Sequence, residues 1–500
     1  MHTDPKPTAI TLNHALSWRE VHAVATGASL QLSPDTATRI HAARALVDSI
    51  SAKGIRAYGV NTGVGALCDV MIDIAEQAHL SRNLIMSHAV GVGSPLSPIE
   101  TRAIMAAQVN NFCHGYSGVR LALVEQLLTL LNAHCTPVVP SQGSVGYLSH
   151  MAHIALVVIG EGQVHATPSS GNASLGTSHI KPLVLAAKEG LSILNGTPCA
   201  TGLAAMVLAR AERLLAWADD VSAMSFEALR GQPAAFDEDI LALRQSPAIN
   251  QVGARLRALL SGSAILAASA GAHTQASLSL RAIPHVHGAA REVWTHTTVL
   301  VDQELKAVTD NPIVTGTMEA PEAHSEAHAI GAALGLAMDS LGVAVASVAA
   351  MSERRTDRLV NPLVSGLPAF LSAVPGVGSG FMIAQYTAAS LVADNRRLAA
   401  PASLDGGITS ALQEDHLCHA TPAALKALKI LDNAEHIVAI ELLAATQAYD
   451  LLMGAPARAP ATERLHQRVR QLAPTYTDDR PLAVDILRAR DLISSQWPNA

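Results

Sequence analysis

The feature that most constrains the fold is the spacing of apolar residues, which recur every three or four positions through long stretches of the chain. This period matches one face of an α-helix. Four stretches show it most clearly: 36–53, 99–132, 200–230 and 423–453. Strand patterns are short, and the main candidates are ITLN near residue 10 and TPVVP at 136–140. The sequence therefore predicts an all-α fold, a bundle of long helices with little sheet.

Composition then constrains assembly and partners. The chain has 500 residues, of which 49% are hydrophobic and only 15% charged, so there is little charge to cover a monomer of this size. We therefore expect an oligomer with long buried helices. The net charge is −7, with Lys and Arg spread along the chain, whereas nucleic-acid binding needs clustered positive charge. A small-molecule substrate is the expected partner.

Cysteine usage and hydropathy favour a cytoplasmic location. The five cysteines are scattered singly with no CxxC pair, which predicts neither a zinc site nor a disulfide framework. The first residues lack the pattern of a secretory signal, a basic segment followed by an apolar one. The longest apolar stretch, 330–351, is interrupted by Asp339 and Ser340. It is expected to be a buried bundle helix and not a membrane span.

Histidines are numerous, but their spacing predicts no metal site. No helical pair of them has a supporting carboxylate in the pattern of a metal centre. The histidines considered are His150, His153, His285, His287 and His328.

Clusters of glycine and proline indicate loops between the helices. They lie at 59–65, 91–98, 140–146, 167–176, 362–380 and 405–407. Along the chain we expect a loop-rich part at 1–190, a central long-helix bundle at 191–455 and a peripheral cap at 456–500. Tyr58 stands out because it lies in the glycine-rich RAYGVNTGVG, where the backbone can approach a ligand and a phenol can accept a proton. A packing role is the alternative for this tyrosine.

Ten motifs in order resemble those of the histidine ammonia-lyases, within the aromatic amino acid ammonia-lyases. They are YGVNTGVG, LSRNLIMSHAVGVG, VPSQGSVG, KEGLSILNGT, EALRGQPAAFD, ELKAVTDNP, SERR, SGLPAFL, GFMIAQYTAA and SALQEDH. The resemblance covers nearly the whole chain. It implies a fold of long parallel and antiparallel helices and a homotetramer whose active sites are shared between subunits.

The resemblance also assigns roles to individual residues. Tyr58 matches the base that removes a proton from the β carbon. Asn195 and Arg281 match residues that hold the substrate carboxylate, for which the Arg fork is suited. His88 and Glu414 match positions that recognise the substrate ring. Glu414 is also a candidate catalytic residue, and Gln413 beside it is a candidate substrate-binding residue. A structural salt bridge is the alternative for Arg281, and a buried core group is the alternative for His88.

The chain departs from the family at its electrophile. Family members carry an Ala-Ser-Gly triad after GSVG, which cyclises into a methylidene-imidazolone group. Here Gly146 is followed directly by Tyr147, and the chain contains no Ala-Ser-Gly. The Asp-Leu-Ala-Pro that follows in the family is replaced by residues 147–150, Tyr-Leu-Ser-His. Leu278 and Leu412 also replace a tyrosine and an asparagine of the family, and His328, Ala329 and Ile330 replace its Asn-Phe-His.

These linked changes predict a carbon-nitrogen lyase that works with no cofactor. Without an electrophile the leaving nitrogen must already depart easily, which a quaternary ammonium does because it leaves as a neutral amine. The chain thus resembles most the electrophile-free branch represented by ergothionase, which eliminates trimethylamine from ergothioneine to give thiourocanate. Tyr147 and Tyr386 are candidates to contact the methylated cation through their ring faces; packing is the alternative for both.

Three other interpretations stay open. In the first, the triad is missing only from the written sequence, and the chain is an ordinary histidine or tyrosine ammonia-lyase. An aminomutase would need the electrophile as well. A catalytically inactive homologue acting as a structural subunit is the third, although the presence of Tyr58, Asn195, Arg281 and Glu414 together argues against it. Hercynine, the same betaine without sulfur, is an alternative substrate.

Overall fold

The computed structural model describes residues 9–166, 181–404, 406–452 and 454–498. The loop predicted at 167–176 lies outside the described residues, as does the first residue of the loop predicted at 405–407. Contacts divide the chain into two compact units. Unit 1 comprises residues 1–208, 298–339 and 401–425, and unit 2 comprises 209–297, 340–400 and 426–500. These units follow spatial contacts, whereas the division predicted at 190 and 455 follows loop content, which is a different property.

The described chain is mainly helical, as the apolar period predicts, so the all-α fold class is confirmed. Unit 1 contains α1 Trp18–Ala25, α2 Pro34–Lys53, α3 Gln77–His88, α4 Pro98–Cys113, α5 Leu121–Asn132, α6 Ser149–Val158 and α7 Glu189–Leu194. Four long helices contribute residues to both units: α8 Pro198–Ala228, α13 Ile283–Lys306, α14 Ala332–Val360 and α17 Ala420–Leu451. Unit 2 also contains α9 Glu238–Ala242, α10 Pro247–Leu260, α11 Ala264–Ala268, α12 Leu278–Arg281, α15 Pro362–Ser365, α16 Met382–Leu398, α18 Pro460–Arg470 and α19 Ala483–Ser495.

Sheet is confined to three two-stranded pairs among the described residues, all in unit 1. The pairs are β1 Ile10–Leu12 with β2 Leu30–Leu32, β3 Val92–Pro95 with β4 Pro140–Gln142, and β5 Ile313–Gly316 with β6 Pro321–His324. The first pair confirms the ITLN strand. The expectation for TPVVP is wrong in detail, because Pro137 forms only an isolated bridge with Val164 and the strand β4 begins at the last residue of the segment, Pro140.

The helix predicted across 99–132 is two helices, α4 and α5, and the single long helix is therefore a wrong prediction. Gly115 and Gly118 interrupt it with φ angles of 78° and 67°, a conformation that glycine adopts without strain. A Cβ at Gly118 would lie 2.3 Å from Val47 of α2. The break therefore lets this segment pack closely on α2, which the apolar period alone does not reveal.

Helix ends follow local sequence. Ser33 accepts a hydrogen bond from the N–H of Thr36 at the start of α2, Pro34 occupies the first position, and Gly54 ends the helix with φ 62°. The buried face of α2 forms a hydrophobic cluster with residues from two other segments. Its members are Ala43, Val47 and Ile50 of α2, with Ala57, Val60 and Val314. Because Ala57 and Val60 flank Tyr58, this cluster fixes the base of the Tyr58 loop.

In unit 2 the core is formed around α8, α10 and α13. Phe226 and Phe236 pack with ring centroids 4.6 Å apart within its largest described cluster. A bidentate ion pair, Arg355 with Glu441 at 2.6 and 2.9 Å, is fully buried. Ser225 donates to the same carboxylate at 2.6 Å. Buried charges that are paired in this way favour one arrangement of the helices that carry them.

Two stretches of the described chain, Glu189–Ala228 and Ala332–Val360, are long and apolar enough to cross a membrane by length and composition. The most apolar part of the first is entirely buried and that of the second is 56% buried. Core helices of proteins without membrane spans have the same property, so this is weak evidence for a span. The second stretch is the one that the sequence predicts to be a bundle helix.

Candidate active site

The Tyr58 loop is fixed by its own side chains. Asn61 accepts the N–H of Ala57 at 2.9 Å and donates to the carbonyl of Ile55 at 2.9 Å. Thr62 accepts the N–H of Gly59 at 3.1 Å. Gly59, with φ 63°, lies so close to α7 that a Cβ there would be 2.3 Å from Leu191. The loop therefore holds the half-buried Tyr58 against the framework of α7.

Gly65 joins the Tyr58 loop to the segment that carries Glu414. Its N–H donates to the Tyr58 phenol oxygen at 3.2 Å, and a Cβ at this position would lie 2.6 Å from Ser410 Oγ. The next N–H, of Ala66, donates to Ser410 Oγ at 3.3 Å. Thr409 and Glu414 pair through two backbone hydrogen bonds, at 2.9 and 3.3 Å. Tyr58 and Glu414 are thus carried by loops in direct contact.

The turn before Glu414 has an unusual backbone. Ser410, Ala411 and Leu412 have φ angles of 51°, 51° and 75°, a left-handed region that residues with a side chain seldom adopt. Strain of this kind is often found where a backbone holds a functional group in place. Gln413 and Glu414 follow it and are exposed in the single chain.

The electrostatics bring two phenols and one carboxylate together. Burial raises the pKa of Tyr58; the Gly65 N–H opposes this, and Glu414 and Cys68 add to it. Burial also raises the pKa of Tyr147, with further contributions from Glu414, Cys418, Tyr58 and Asp310. Both phenols are therefore neutral in the free protein at neutral pH. Glu414 lies close enough to both phenols to act on each of them, so these three candidates share one part of unit 1.

Asn195 lies at the end of α7, the helix against which the Tyr58 loop packs. It is 5% exposed and donates from Nδ2 to the carbonyl of Asn311 at 2.5 Å. Asn311 follows Asp310, which pairs with Lys188 at the start of α7 at 3.0 Å, both side chains being fully buried. The pKa of Lys188 is lowered by burial, against the opposing charge of Asp310. This buried pair fixes α7 relative to the segment that anchors Asn195.

His88 is the last residue of α3 and is half-buried. Its Nδ1 is 3.0 Å from Ser87 Oγ. Burial lowers the pKa of His88, and the Leu84 carbonyl opposes the effect. α3 packs closely on α7, since a Cβ at Gly190 would lie 2.4 Å from the Ser81 carbonyl oxygen. His88 therefore lies at the end of a helix that contacts α7, the helix that ends at Asn195. Its ring is neutral at neutral pH.

The loop at 143–148 has the place of the family's triad, and its residues do not fit the prosthetic group. Cyclisation uses consecutive Ala-Ser-Gly, whereas Ser144 stands between Gly143 and Val145. The Ser144 hydroxyl is also engaged, with the Tyr147 carbonyl and the His150 ring. The half-buried Tyr147 follows directly on Gly146.

The remaining two candidates belong to unit 2. Arg281, at the end of α12, donates from Nη1 to the carbonyl of Ala276 at 2.7 Å. This contact is with a backbone carbonyl, and no salt bridge of Arg281 occurs among the described residues. Tyr386 lies on α16 and is 62% exposed. Unit 1 thus contains Tyr58, Tyr147, Glu414 and Asn195, carried by loops and helix ends that contact one another. Arg281 and Tyr386 lie in unit 2.

Comparison with known proteins decides the family. Residues 16–471 match the family described as aromatic amino acid lyase. The chain belongs to the aromatic amino acid lyase family. The resemblance read from the ten motifs is therefore confirmed, and the protein is a member of a family of carbon-nitrogen lyases.

Several relatives of this aromatic amino acid lyase cover almost its full length. The histidine ammonia-lyase of Anaeromyxobacter dehalogenans (strain 2CP-C) is 42% identical over 96% of this chain and 97% of its own. The crystal structure of histidine ammonia-lyase from Trypanosoma cruzi is 36% identical, with a TM-score of 0.88, covering 98% of this chain and 94% of that one. Ergothionase from Treponema denticola, an ergothioneine-degrading enzyme, is 27% identical with a TM-score of 0.90, covering 97% and 99%.

Several residues that support the candidate site have no local sequence signal. Lys188 and Asp310 lie inside recognised motifs, but their pairing joins positions 122 residues apart. The contacts of Thr421 with the Gly146 carbonyl and of Gly65 with Ser410 likewise join distant positions. His150, which the sequence raises only as a possible metal ligand, contacts Ser144, and its place in the altered Tyr-Leu-Ser-His segment is the signal that could have indicated it.

Proposed function

We propose that this aromatic amino acid lyase eliminates trimethylamine from ergothioneine to give thiourocanate, without a methylidene-imidazolone group. The observation that carries the proposal is the loop in which Gly146 is followed directly by Tyr147. Tyr147 stands directly after the point where the family has the triad, and Tyr58 and Glu414 both contribute to raising its pKa. A phenol there lies within electrostatic range of the proposed base and of the proposed ring-binding carboxylate.

The chemistry of a quaternary ammonium suits such a site. The nitrogen has no lone pair with which to attack an electrophile. As the base removes the β proton, the C–H electron pair forms the Cα–Cβ double bond. As that double bond forms, the Cα–N bond breaks with its electron pair on nitrogen, and neutral trimethylamine leaves. Atoms and charge balance with a general base alone, so positioning and proton transfer supply the catalysis.

Tyr58 is the proposed base. Its phenol must lose its proton to act, and burial and Glu414 both oppose this in the free protein. A bound trimethylammonium group adds a positive charge beside the phenol, which favours the phenolate. The Gly65 N–H favours the phenolate as well, because it donates to the phenol oxygen. The cationic substrate therefore helps to activate its own base.

The other candidates bind the substrate. Asn195 and Arg281 are proposed to hold the carboxylate, and the anchoring of Asn195 by Asn311 leaves its second Nδ2 proton for this purpose. Glu414, with Gln413 and His88, orients the imidazole-thione ring. A carboxylate accepts from an azole N–H, and neutral His88 supplies one donor and one acceptor.

Apolar and aromatic groups receive the methylated cation, which offers no N–H donors. Tyr147 and Tyr386 are proposed to present ring faces to it. Leu278 and Leu412 are 66% and 73% exposed in the single chain, and apolar side chains there leave no polar group unpaired against methyl groups. Ergothionase has the same fold, at a TM-score of 0.90, so this fold accommodates the proposed substrate class.

We propose that the enzyme is a cytoplasmic homotetramer in which subunits share active sites. Both units of the single chain expose large apolar side chains. In unit 2 Leu363 and Val377 are each 90% exposed, and in unit 1 Leu404 is 74% exposed. Exposed apolar surface of this kind is typical of subunit interfaces. Sedimentation equilibrium tests the tetramer.

The second candidate is a histidine ammonia-lyase. It is favoured by sequence identity, which is 42% to the relative from Anaeromyxobacter dehalogenans and 27% to ergothionase. In that case the natural protein would contain the triad, and histidine would lose ammonia. Mass spectrometry of the peptide that contains Gly146 and Tyr147 distinguishes the two, since a matured triad would add its mass between them.

The deciding experiment supplies the purified protein separately with ergothioneine, hercynine and histidine. Ultraviolet absorbance follows the conjugated acrylate product, and trimethylamine and ammonia are measured directly. Trimethylamine from ergothioneine, with histidine inert, supports the proposal; trimethylamine from hercynine alone moves the substrate to the sulfur-free betaine. Ammonia from histidine establishes the second candidate, and no turnover of any substrate favours an inactive homologue.

A further inference from the structure

The loop that carries Tyr147 is held by three side chains outside the proposed machinery. Ser144 donates from its hydroxyl to the Tyr147 carbonyl, and Thr421, near the start of α17, donates to the Gly146 carbonyl. His150 of α6 reaches the same serine, with Nδ1 2.7 Å from Ser144 Oγ. Two successive carbonyl groups of the loop are therefore fixed by hydroxyl groups from different parts of unit 1.

Counting protons fixes the direction of these bonds. A serine hydroxyl has one proton, and Ser144 donates it to the Tyr147 carbonyl. The serine oxygen then accepts from the His150 backbone N–H, at 3.2 Å, and from the His150 ring. We therefore assign the ring proton of His150 to Nδ1, which leaves Nε2 as an acceptor. Nε2 is buried and has no hydrogen-bond partner among the described residues.

The buried environment supports this arrangement. His150 is 1% exposed. Burial lowers its pKa to about 4, with the Ser141 carbonyl opposing and His153 adding to the effect. The ring is consequently neutral at neutral pH, with a single proton available for Ser144. The N–H of His150 lies in the first turn of α6, so the same serine also satisfies one of the open donors of that helix.

His150 and Tyr147 differ from the family together. In the resemblance, the segment Tyr-Leu-Ser-His replaces Asp-Leu-Ala-Pro, so a histidine stands where the family has proline, which has no ring N–H to donate. Ser144 belongs to the GSVG motif that precedes the triad. A serine common to the family thus has a new partner in the chain that lacks the triad.

We propose that Ser144, His150 and Thr421 form a brace, a set of hydrogen bonds that positions Tyr147 and restrains its loop as cyclisation of the triad restrains it in the family. All three are positioning residues, because Ser144 and Thr421 act on the backbone of residues 146 and 147 and His150 acts through Ser144. The inference rests on the proposed function in one respect, that the substrate cation contacts Tyr147. Loosening the brace should weaken substrate binding more than it slows proton removal by Tyr58.

The test compares Ser144→Ala with Ser149→Ala. Ser149 is a matched control, since it lies in the same segment, is 3% exposed, and has a hydroxyl without a partner among the described residues. Hydrogen exchange of the amides at 145–148 reports on the loop, and KM and kcat report on the site. In Ser144→Ala we expect exchange and the KM for ergothioneine each to rise about tenfold, as for loss of one hydrogen bond. kcat should change less than threefold, and Ser149→Ala should behave as the wild type.

Each other result is decisive. Unchanged exchange in Ser144→Ala shows that there is no brace, and raised exchange with unchanged KM shows that the brace does not position Tyr147 for binding. If Ser144→Ala does not fold, Thr421→Val, which leaves the Ser144–His150 pair intact, is measured in the same way. If the wild type releases ammonia from histidine and no trimethylamine, the proposed function fails, and exchange and the KM for histidine still test the brace.

Discussion

The phenol oxygen of Tyr58 accepts a hydrogen bond from the backbone N–H of Gly65 at 3.2 Å. The same glycine packs against Ser410, so a single residue links the proposed base to the loop of the proposed ring-binding carboxylate. The donor favours the phenolate, while burial and Glu414 favour the neutral phenol. Opposing effects therefore set the pKa of Tyr58, and a cationic substrate would lower that pKa.

Tyr58→Phe tests the base directly. We expect turnover to fall by about 10²- to 10⁴-fold, the contribution typical of a general base. Thermal stability should change little, because the ring remains. Tyr116→Phe, which removes a phenol oxygen from a residue 42% exposed in the same unit, should keep wild-type activity. Equal turnover in Tyr58→Phe and the wild type would assign the proton transfer to another group.

Gly65→Ala tests the link between the loops. The residue has φ 55°, and a Cβ there would lie 2.6 Å from Ser410 Oγ. Ser410 must therefore move, and it loses the hydrogen bond that it accepts from the N–H of Ala66. Gly54→Ala is the matched control, with φ 62° and no atom within 4 Å of its Cβ. Both substitutions should cost about 1–2 kcal/mol of the free energy of unfolding through backbone strain. Only Gly65→Ala should also lower kcat, by about tenfold; similar kcat values in the two variants would contradict the link.

Glu414→Gln separates charge from hydrogen bonding. Because the carboxylate raises the pKa of Tyr58, its neutralisation lowers that pKa and increases the phenolate fraction at a given pH. The rising alkaline limb of the pH–kcat/KM profile should therefore shift to lower pH, while KM rises because the azole loses a charged acceptor. Asp415→Asn, the adjacent exposed carboxylate, should leave the limb in place. A limb that shifts to higher pH, or equally in both variants, would contradict the assignment.

Lys188→Met tests the buried pair behind Asn195. Removing the cation leaves Asp310 buried without its partner, which costs about 3–5 kcal/mol. The pair is fully buried at 3.0 Å. Arg82 with Glu161 is the control, at 2.8 Å with side chains 49% and 46% exposed, and Glu161→Gln should cost about 1 kcal/mol or less. Urea unfolding at fixed protein concentration measures both; equal losses would mean that the buried pair is not held as described.

Particular residues show what the sequence could predict. The helical period determines the class of α2, α8 and α17, because burial of one face or of all faces leaves a repeating pattern. The break between α4 and α5 is not visible in that pattern, since it depends on Gly118 packing against Val47 from another helix. Tyr58, Asn195 and Glu414 were predicted because each lies in a local motif. The Lys188–Asp310 pair and the contact of Thr421 with Gly146 depend on folding, so no local pattern predicts them.

His150 gives a stability that depends on pH. Burial lowers its pKa to about 4, against about 6.5 in the unfolded chain. The unfolded state therefore binds more protons between these values, so the contribution of neutral His150 is complete above about pH 6.5 and is lost as the pH falls towards 4. His150→Gln removes this titration and keeps an amide that can donate to Ser144. Urea unfolding from pH 7 to pH 5 should show the wild type losing roughly 2 kcal/mol more than His150→Gln. Parallel losses over this range would mean that His150 is not buried as a neutral ring, and the proton assignment on which the brace depends would be wrong.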